Sequence, residues 1–376
     1  MQTVLRIMSR LENSAIKAVR QGLIMIMPLL IISSIALMLM SLPILAYQNF
    51  LYALWGGKIV EILDFVYSGI MDFFAVMLAT STSISYAMIK RQTCKERVAY
   101  DNIVLLPLIT IATLIGYSGI QYDTFSISEL SNTNTFTALF VALVSGKLFF
   151  TIKNKITSGK RKKGLQVESS YVEALEGMFP ALLTILFFAV FGMVFRMVFG
   201  VNSIQEWFSN IASWSLEVID NDFISGLCIL LVIHLLWFLG IHGNNVLDAF
   251  IQENYIHLDT SIYNKTFQDV FVVIGGCGAA LCLVIAVLLY AKKRNVRHIA
   301  KVALPSAIFN ISEIIVFGLP VILNSIFLLP FILVPVVNYL ISYGAVYIGL
   351  IPRVTCEVEW TTPIFLSGYQ ATGSWT

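Results

Sequence analysis

The sequence predicts an all-α polytopic membrane protein, with about 8–9 membrane segments plus re-entrant hairpins. Three observations carry that prediction. Hydrophobic residues make up 58% of the chain and charged residues 12%, with a mean hydropathy of +0.83. A soluble domain carries about twice that charge, so an ordinary soluble enzyme is excluded, and so is a disordered chain. The apolar residues lie in blocks, and 21–57, 102–122, 130–146, 177–195 and 270–291 hold no charge at all. The basic residues, finally, are clustered between those blocks.

The net charge of +2 says little, but its distribution sets a topology. Most Lys and Arg fall in four clusters: Arg6 to Arg20, Lys90 to Arg97, Lys153 to Lys163, and Lys292 to Lys301. The positive-inside rule assigns these to cytoplasmic loops, with the amino terminus cytoplasmic. The same setting makes KRKK at 160–163 a juxtamembrane cluster, so no nucleic-acid partner is expected. The lipid bilayer itself is the expected surrounding. The first apolar run starts near residue 21 and is too long for the core of a cleavable signal.

The elements follow in order. Residues 1–20 alternate apolar and basic positions at helical spacing, which predicts an amphipathic surface helix. Runs 23–47 and 65–89 cross out and back around a short amphipathic piece with Lys58 and Glu61. Runs 102–122 and 130–150 form the next pair, joined outside by a connection with Asp123 and Glu129 but no basic residue. Three runs, 177–199, 223–247 and 270–291, then separate two cytoplasmic clusters. An odd number of crossings cannot begin and end on one side, so at least one of these runs is expected to be re-entrant or broken. Non-helical backbone at membrane depth is tolerated only where it is buried or lines a cavity. The block 302–352 holds one charge, Glu313, and is too long for one span. Pro305, Pro320, Pro330, Pro335 and Pro352 are expected to cut it into a hairpin-like segment, 302–318, and a crossing, 321–349. Residues 353–376 read as a further re-entrant or loop segment.

Polar residues inside these runs are candidates for function, because burying them in a membrane is costly. Glu313, in FNISEIIVFGLP, is the clearest. His242, in WFLGIHGNN, lies between Gly240 and Gly243 and precedes Asn244 and Asn245; the glycines suggest a broken helix, although a lone His also serves as a structural hydrogen-bonder. His234 reads as packing. GGCGA at 275–279 has no preceding strand and no P-loop Lys, so it is not a nucleotide loop. Its glycines Gly275, Gly276 and Gly278 fit either tight helix packing or backbone exposed in a broken helix. Trp360 beside Thr361 and Thr362 suits a sugar, with a ring face and hydroxyl groups, and equally suits a membrane interface. The five Cys form no CxxC and no HExxH-type spacing occurs, so neither metal nor cofactor is expected.

Together these segments resemble the membrane subunit, enzyme IIC, of the bacterial phosphoenolpyruvate-dependent sugar phosphotransferase system, lactose/cellobiose type. The matching stretches occur in order: MPLLIISSIALMLMSLP, FLGIHGNN, FQDVFVVIGGCGAALCLVI, KVALPSAIFNISEIIVFGLPVILN, PFILVPVVN and WTTPIFLSG. The resemblance implies a sugar permease acting on a β-linked disaccharide such as cellobiose. It implies phosphorylation by a partner IIB subunit, itself supplied by IIA, with the phosphocysteine on that partner. It also implies a homodimer with an elevator-like motion, a scaffold and dimerisation domain over 21–200, and a sugar-binding transport domain over 201–376. The family's catalytic histidine and glutamate fall on His242 and Glu313. Its substrate-binding positions fall on Asn310 and on Gly275, Gly276 and Gly278. Two departures stand out: the family's NINEP-like motif reads NISEI here, and Glu359 precedes WTTP where Pro is usual. The chain stops at Thr376, just after the last hairpin-like motif, so the carboxy-terminal domain is expected to be truncated. The amino terminus also resembles enzyme IIC-like modules joined to EAL-type phosphodiesterases. The alternative reading is therefore a transport-inactive membrane sugar sensor or regulatory module.

Overall fold

The computed structural model describes residues 14–93, 100–118, 127–157, 169–217, 219, 221–255 and 261–375. Among them it is helical, with no strand. The helices are α1 (Ser14–Met40), α2 (Leu45–Ala53), α3 (Lys58–Met71), α4 (Phe74–Thr93), α5 (Tyr100–Ser118), α6 (Thr135–Thr157), α7 (Ser169–Phe199) and α8 (Ile204–Leu216). They continue with α9 (Asp222–Phe238), α10 (Gly243–Asn254), α11 (Lys265–Phe267), α12 (Ala280–Tyr290), α13 (Arg294–Ile308), α14 (Glu313–Gly318), α15 (Ser325–Tyr347) and α16 (Leu366–Thr372). Among the described residues four helical stretches are long and apolar enough to cross a membrane: Ser14–Met40, Asn132–Ile156, Leu175–Leu216 and Ser325–Tyr347. The helices on either side of Asp72 and Phe73 add a fifth if counted as one span, and Ile103–Ser118, Asp222–Phe238 and Ala280–Tyr290 are shorter apolar helices. Residues 1–13, most of the expected surface helix, lie outside the described residues. Residues 14–20 are the first turns of α1 rather than the end of a separate helix.

The chain divides into two compact units. The first comprises Met1–Ile26 and Asp72–Trp207, the second Met27–Met71 and Phe208–Thr376. Met27–Met71 thus groups with the carboxy-terminal half, whereas the sequence reading drew one boundary at 200/201. In the first unit Ala18, Tyr86, Ala87, Ile89, Leu106, Ile109, Phe149 and Phe150 form a buried core. Lipid supplies no hydrophobic drive between helices, so small residues let the backbones approach. A Cβ on Gly22 would lie 2.6 Å from Thr82 Oγ1, and one on Gly146 would lie 2.8 Å from the Tyr86 ring. The buried hydroxyls of Thr110 and Ser145 meet across α5 and α6 at 3.2 Å. On α7, Leu182, Leu186, Met193 and Met197 are exposed, as a lipid-facing stripe requires.

In the second unit the apolar runs are interrupted, and each interruption has its own hydrogen bonds. The run 223–247 breaks at Leu239–His242 between α9 and α10. The run 270–291 breaks after a π-helical turn, Gln268–Val272, and resumes at α12. The block 302–318 is a hairpin-like segment, α13 and α14, broken at 309–312. The crossing expected at 321–349 is α15. Three of the prolines expected to cut this block do not: Pro305 lies inside α13, and Pro330 and Pro335 lie inside α15. Membrane helices tolerate proline because their surroundings re-satisfy the freed backbone groups.

Candidate functional site: a junction of broken helices

The break at 273–279 is made by glycine. Gly275, Gly276 and Gly278 have φ of 81°, 94° and 68°, and Ala279 follows at 53°. Side-chain-bearing residues rarely adopt such values, so this stretch cannot continue a helix. Breaking it frees carbonyls inside an apolar environment, where an unsatisfied group is costly. Polar side chains of α15 capture two of them. Asn338 Nδ2 donates to the Val272 carbonyl at 2.9 Å and Ser342 Oγ to that of Phe271 at 3.3 Å. GGCGA combines features of both readings: the helix is broken there, yet Gly275 and Gly276 are buried in close packing rather than exposed. Gly278 also packs closely, since a Cβ there would overlap the Phe331 ring.

The break at 309–312 meets this loop. Asn310 sits at φ 60°, a left-handed conformation that Asn tolerates better than most residues. Its Oδ1 accepts the Gly275 N–H at 2.8 Å, and its Nδ2 donates to the carbonyls of Trp360 at 2.7 Å and Thr362 at 3.4 Å. Cys277 Sγ and Ser312 Oγ are 3.1 Å apart and buried. Three segments far apart in sequence thus converge: 275–277, 310–312 and 360–362. Gly276 makes the approach possible, because a Cβ there would lie 2.5 Å from the Asn310 carbonyl oxygen and 2.7 Å from Ser312 Cβ. Thr361 and Thr362 are buried, while Trp360 is 41% exposed.

Glu313 follows as the first residue of α14. Its side chain is half-buried, and its Oε2 is shielded from solvent without a hydrogen-bond partner among the described residues. A buried carboxylate oxygen with no donor is costly. It is also available to a hydroxyl or to a proton.

His242 lies at the other break. Gly240 has φ 84° there, and His242 caps α10, its Nδ1 accepting the Asn245 N–H over a long 3.4 Å. Its ring lies against Trp237, with centroids 4.3 Å apart. An Nδ1 that accepts requires the tautomer with hydrogen on Nε2, so the outer nitrogen is a donor. Asn244 Oδ1 is buried without a hydrogen-bond partner among the described residues, and Asn245 is exposed. This break is tied to the hairpin through one backbone bond: Leu323 N–H, in the turn after α14, donates to the Phe238 carbonyl at 3.0 Å. His234 is buried on α9, with its Nδ1 hydrogen-bonded to the Leu230 carbonyl at 2.8 Å, in keeping with packing.

Gly275, Gly276, Asn310, Trp360 and Thr362 therefore share one junction; His242, Asn244 and Asn245 share a second; and α14, which begins at Glu313, runs between them. The sequence reading assigned no role to Ser312, which appears there only within the NISEI departure, or to Cys277. It also passed over Asn338 and Ser342, whose signal was two polar residues one helical turn apart in an apolar run. Among the described residues no group of three or more His, Cys, Asp or Glu could hold a metal ion.

These features define a class of protein: a helical membrane protein whose broken helices bring polar groups together within apolar segments. Comparison with known proteins makes the class specific. The family described as phosphotransferase system, EIIC, matches residues 20–335. An oligo-beta-mannoside-specific EIIC component of Bacillus subtilis (strain 168) is 28% identical, covering 99% of this chain and 87% of that relative. A cellobiose-specific EIIC component of Geobacillus stearothermophilus is also 28% identical, over 96% of this chain and 84% of the relative. The crystal structure of ChbC, the IIC component of an N,N'-diacetylchitobiose-specific phosphotransferase system, shares the fold at 24% identity and a TM-score of 0.51, covering 99% of this chain and 90% of that one. The chain belongs to the phosphotransferase-system EIIC family and is a multi-pass membrane permease component of a sugar phosphotransferase system.

Proposed function

We propose that this permease component binds a β-linked disaccharide or short oligosaccharide and presents it for phosphorylation by a IIB subunit. The observation that carries the proposal is the shielded, unpartnered Glu313 oxygen at the start of the hairpin helix. Relatives named for oligo-beta-mannosides, lichenan and cellobiose support the β-linked class. In this reading Glu313 accepts a hydrogen bond, and then the proton, from the sugar hydroxyl that takes the phosphoryl group. His242 donates from Nε2 to a neighbouring sugar oxygen. Asn244 and Asn245 and the exposed Trp360 ring line the sugar, while the buried Thr361, Thr362, Gly275 and Gly276, with Gly278, form the packed backing of that surface. Phosphoryl transfer depends mainly on positioning and electrostatics, which suits a site assembled from fixed loops.

All of these breaks belong to the second unit, which supports a transport role for Phe208–Thr376. The unit containing residues 72–207 would then be the scaffold on which two copies associate. The amino terminus faces the cytoplasm in this reading, on the side of the four basic clusters.

The test uses purified protein in proteoliposomes with the soluble phosphotransfer proteins. Cellobiose is expected to bind and to become phosphorylated, with lactose and glucose poorer. Glu313→Gln should lower the phosphorylation rate on the order of 10²-fold or more while sugar binding falls far less. Absence of sugar binding, or a Glu313→Gln variant as fast as the parent, overturns the assignment. Binding without any phosphorylation would point instead to the regulatory reading that the NISEI departure suggests.

A further inference from the structure

We infer that Asn310 is a positioning residue: its carboxamide clamps three loops together and sets the place of Glu313, without itself touching the sugar. The inference rests on the reading of Glu313 as the group facing the sugar hydroxyl. It contrasts with the direct sugar contact that the family resemblance implies for Asn310.

The argument is an inventory of one side chain. A carboxamide has two N–H donors and an oxygen with two lone pairs, so a sugar could reach Asn310 without displacing a partner only by donating to the second lone pair, in a place nearly closed to solvent. Both donors of Asn310 are directed to carbonyls, at Trp360 and Thr362, and the oxygen already receives the Gly275 N–H. The residue is 8% exposed. A ligand hydroxyl that took one of those donors would leave a loop carbonyl unpaired in a buried place, which is costly. All three partners are backbone groups, so the contact is indifferent to their side chains and fixes only the course of the chain. The partners lie 35, 50 and 52 residues away in sequence, so this one side chain replaces the ladder of bonds that a helix would have supplied.

Position is what the clamp transmits. Asn310 also starts the turn that leads into α14, with the Asn310 and Ile311 N–H groups bonded back to Ala307 and Ser306. Glu313 is the third residue beyond it. Backbone that is held at Asn310 and again at Leu323, by the Phe238 carbonyl, leaves the short α14 little freedom. Without the clamp, the 309–312 break keeps its local turn bonds and the Ser312–Cys277 contact, but loses its bonds to the 360–362 loop and to the Gly275 N–H.

The test separates geometry from sugar chemistry. Ser312→Cys introduces a thiol facing the native Cys277, and copper phenanthroline, with oxygen as oxidant, joins the two as a disulfide. The rate of that joining reports how closely the two loops are held, whether or not any sugar binds. Adding Asn310→Ala is expected to slow it at least several-fold in protein that remains monodisperse in detergent. In the otherwise native chain, Asn310→Ala is expected to lower the phosphorylation rate on the order of 10²-fold, as a misplacement of about 1 Å does, with the KM for sugar shifted much less. Deoxy-sugars, each lacking one hydroxyl, give the decisive comparison. A positioning residue leaves the penalty for each missing hydroxyl unchanged, whereas a direct ligand abolishes the penalty at its own hydroxyl. Unchanged cross-linking in the Asn310→Ala protein, or loss of one deoxy-sugar penalty, overturns the proposal. Slowed cross-linking in a protein that binds no sugar would uphold the clamp and discard the reading of the site instead.

Discussion

Gly276 carries more constraint than any charged residue of the junction. Its φ of 94° disfavours every side chain, and the space where a Cβ would stand is filled by the Asn310 carbonyl and Ser312. Gly276→Ala should therefore destabilise the protein by about 2 kcal/mol or more, combining backbone strain with displacement of the neighbouring loop. Gly344→Ala is the matched control, since α15 is regular there and nothing lies within 4 Å of the added carbon. Thermal melting in detergent should separate the two variants clearly; equal midpoints would mean that the close approach of the two loops has no energetic weight. The residue scale is also where the sequence was most and least legible. Glu313 and His242 stood out because an ionisable group in an apolar run is conspicuous. That GGCGA both packs and breaks could not be read from composition, because glycine serves both ends and only the sign of φ marks the break. The clamp by Asn310 was hidden for another reason: its partners are main-chain atoms, which leave no mark in the sequence.

At the scale of elements, a break is stable only if neighbouring helices answer for it. Helix α15 answers for the 273–279 break through Asn338 and Ser342. The same helix is tied to α9 by the Tyr339 hydroxyl on the Phe223 carbonyl, at 2.8 Å, and by Tyr343 on Asp222, at 2.9 Å. Asp222 in turn receives the N–H groups of Ile262 and Tyr263 at 3.1 and 3.2 Å, just ahead of the segment that breaks. Asn338→Leu keeps a similar volume and leaves the Val272 carbonyl without its donor. A loss of about 1–3 kcal/mol is expected, together with faster proteolysis around 268–279. Val337→Leu, one residue earlier and exposed, should change neither; if Asn338→Leu behaves like Val337→Leu, the freed carbonyl has found another partner. The long apolar helices were legible, but hydropathy placed only α5 and α15 closely; the runs 23–47, 130–150 and 177–199 are the helices Ser14–Met40, Thr135–Thr157 and Ser169–Phe199, whose ends extend into polar or charged residues or stop short of the run. The positions of the breaks were less so. Within 302–352 proline was read as the breaker, yet Pro305, Pro330 and Pro335 are helical; the chain breaks instead at Asn310, and of the five prolines Pro320 falls in the turn between α14 and α15 and Pro352 beyond α15. A membrane helix can absorb a missing N–H, whereas a run of left-handed residues cannot be helical at all.

For the whole molecule, charge and broken helices have to agree. Three apolar runs between two basic clusters leave an unpaired crossing, and the structure interrupts two of those runs, at 239–242 and at 273–279. Either interruption allows the chain to return to the side it left, so the basic clusters can share one face. The prediction concerns where each connection emerges. Protease-cleavable epitopes inserted after Thr124 and after Asp259, in connections nearly free of Lys and Arg, should be cut in intact cells. One inserted after Lys162, within the densest basic cluster, should be cut only in inverted membrane vesicles. Positive charge near a short loop is what retains it in the cytoplasm, while acidic residues weigh little. Replacing Lys160, Arg161, Lys162 and Lys163 by Gln should therefore weaken the orientation, and adding acidic residues at the same place should do much less. Cleavage after Lys162 from outside intact cells would reverse the assignment for this loop and for the amino terminus with it. Cleavage after Asp259 only in inverted vesicles would leave the basic loops inside but make 223–247 a full crossing, moving the turn-back to the 273–279 break.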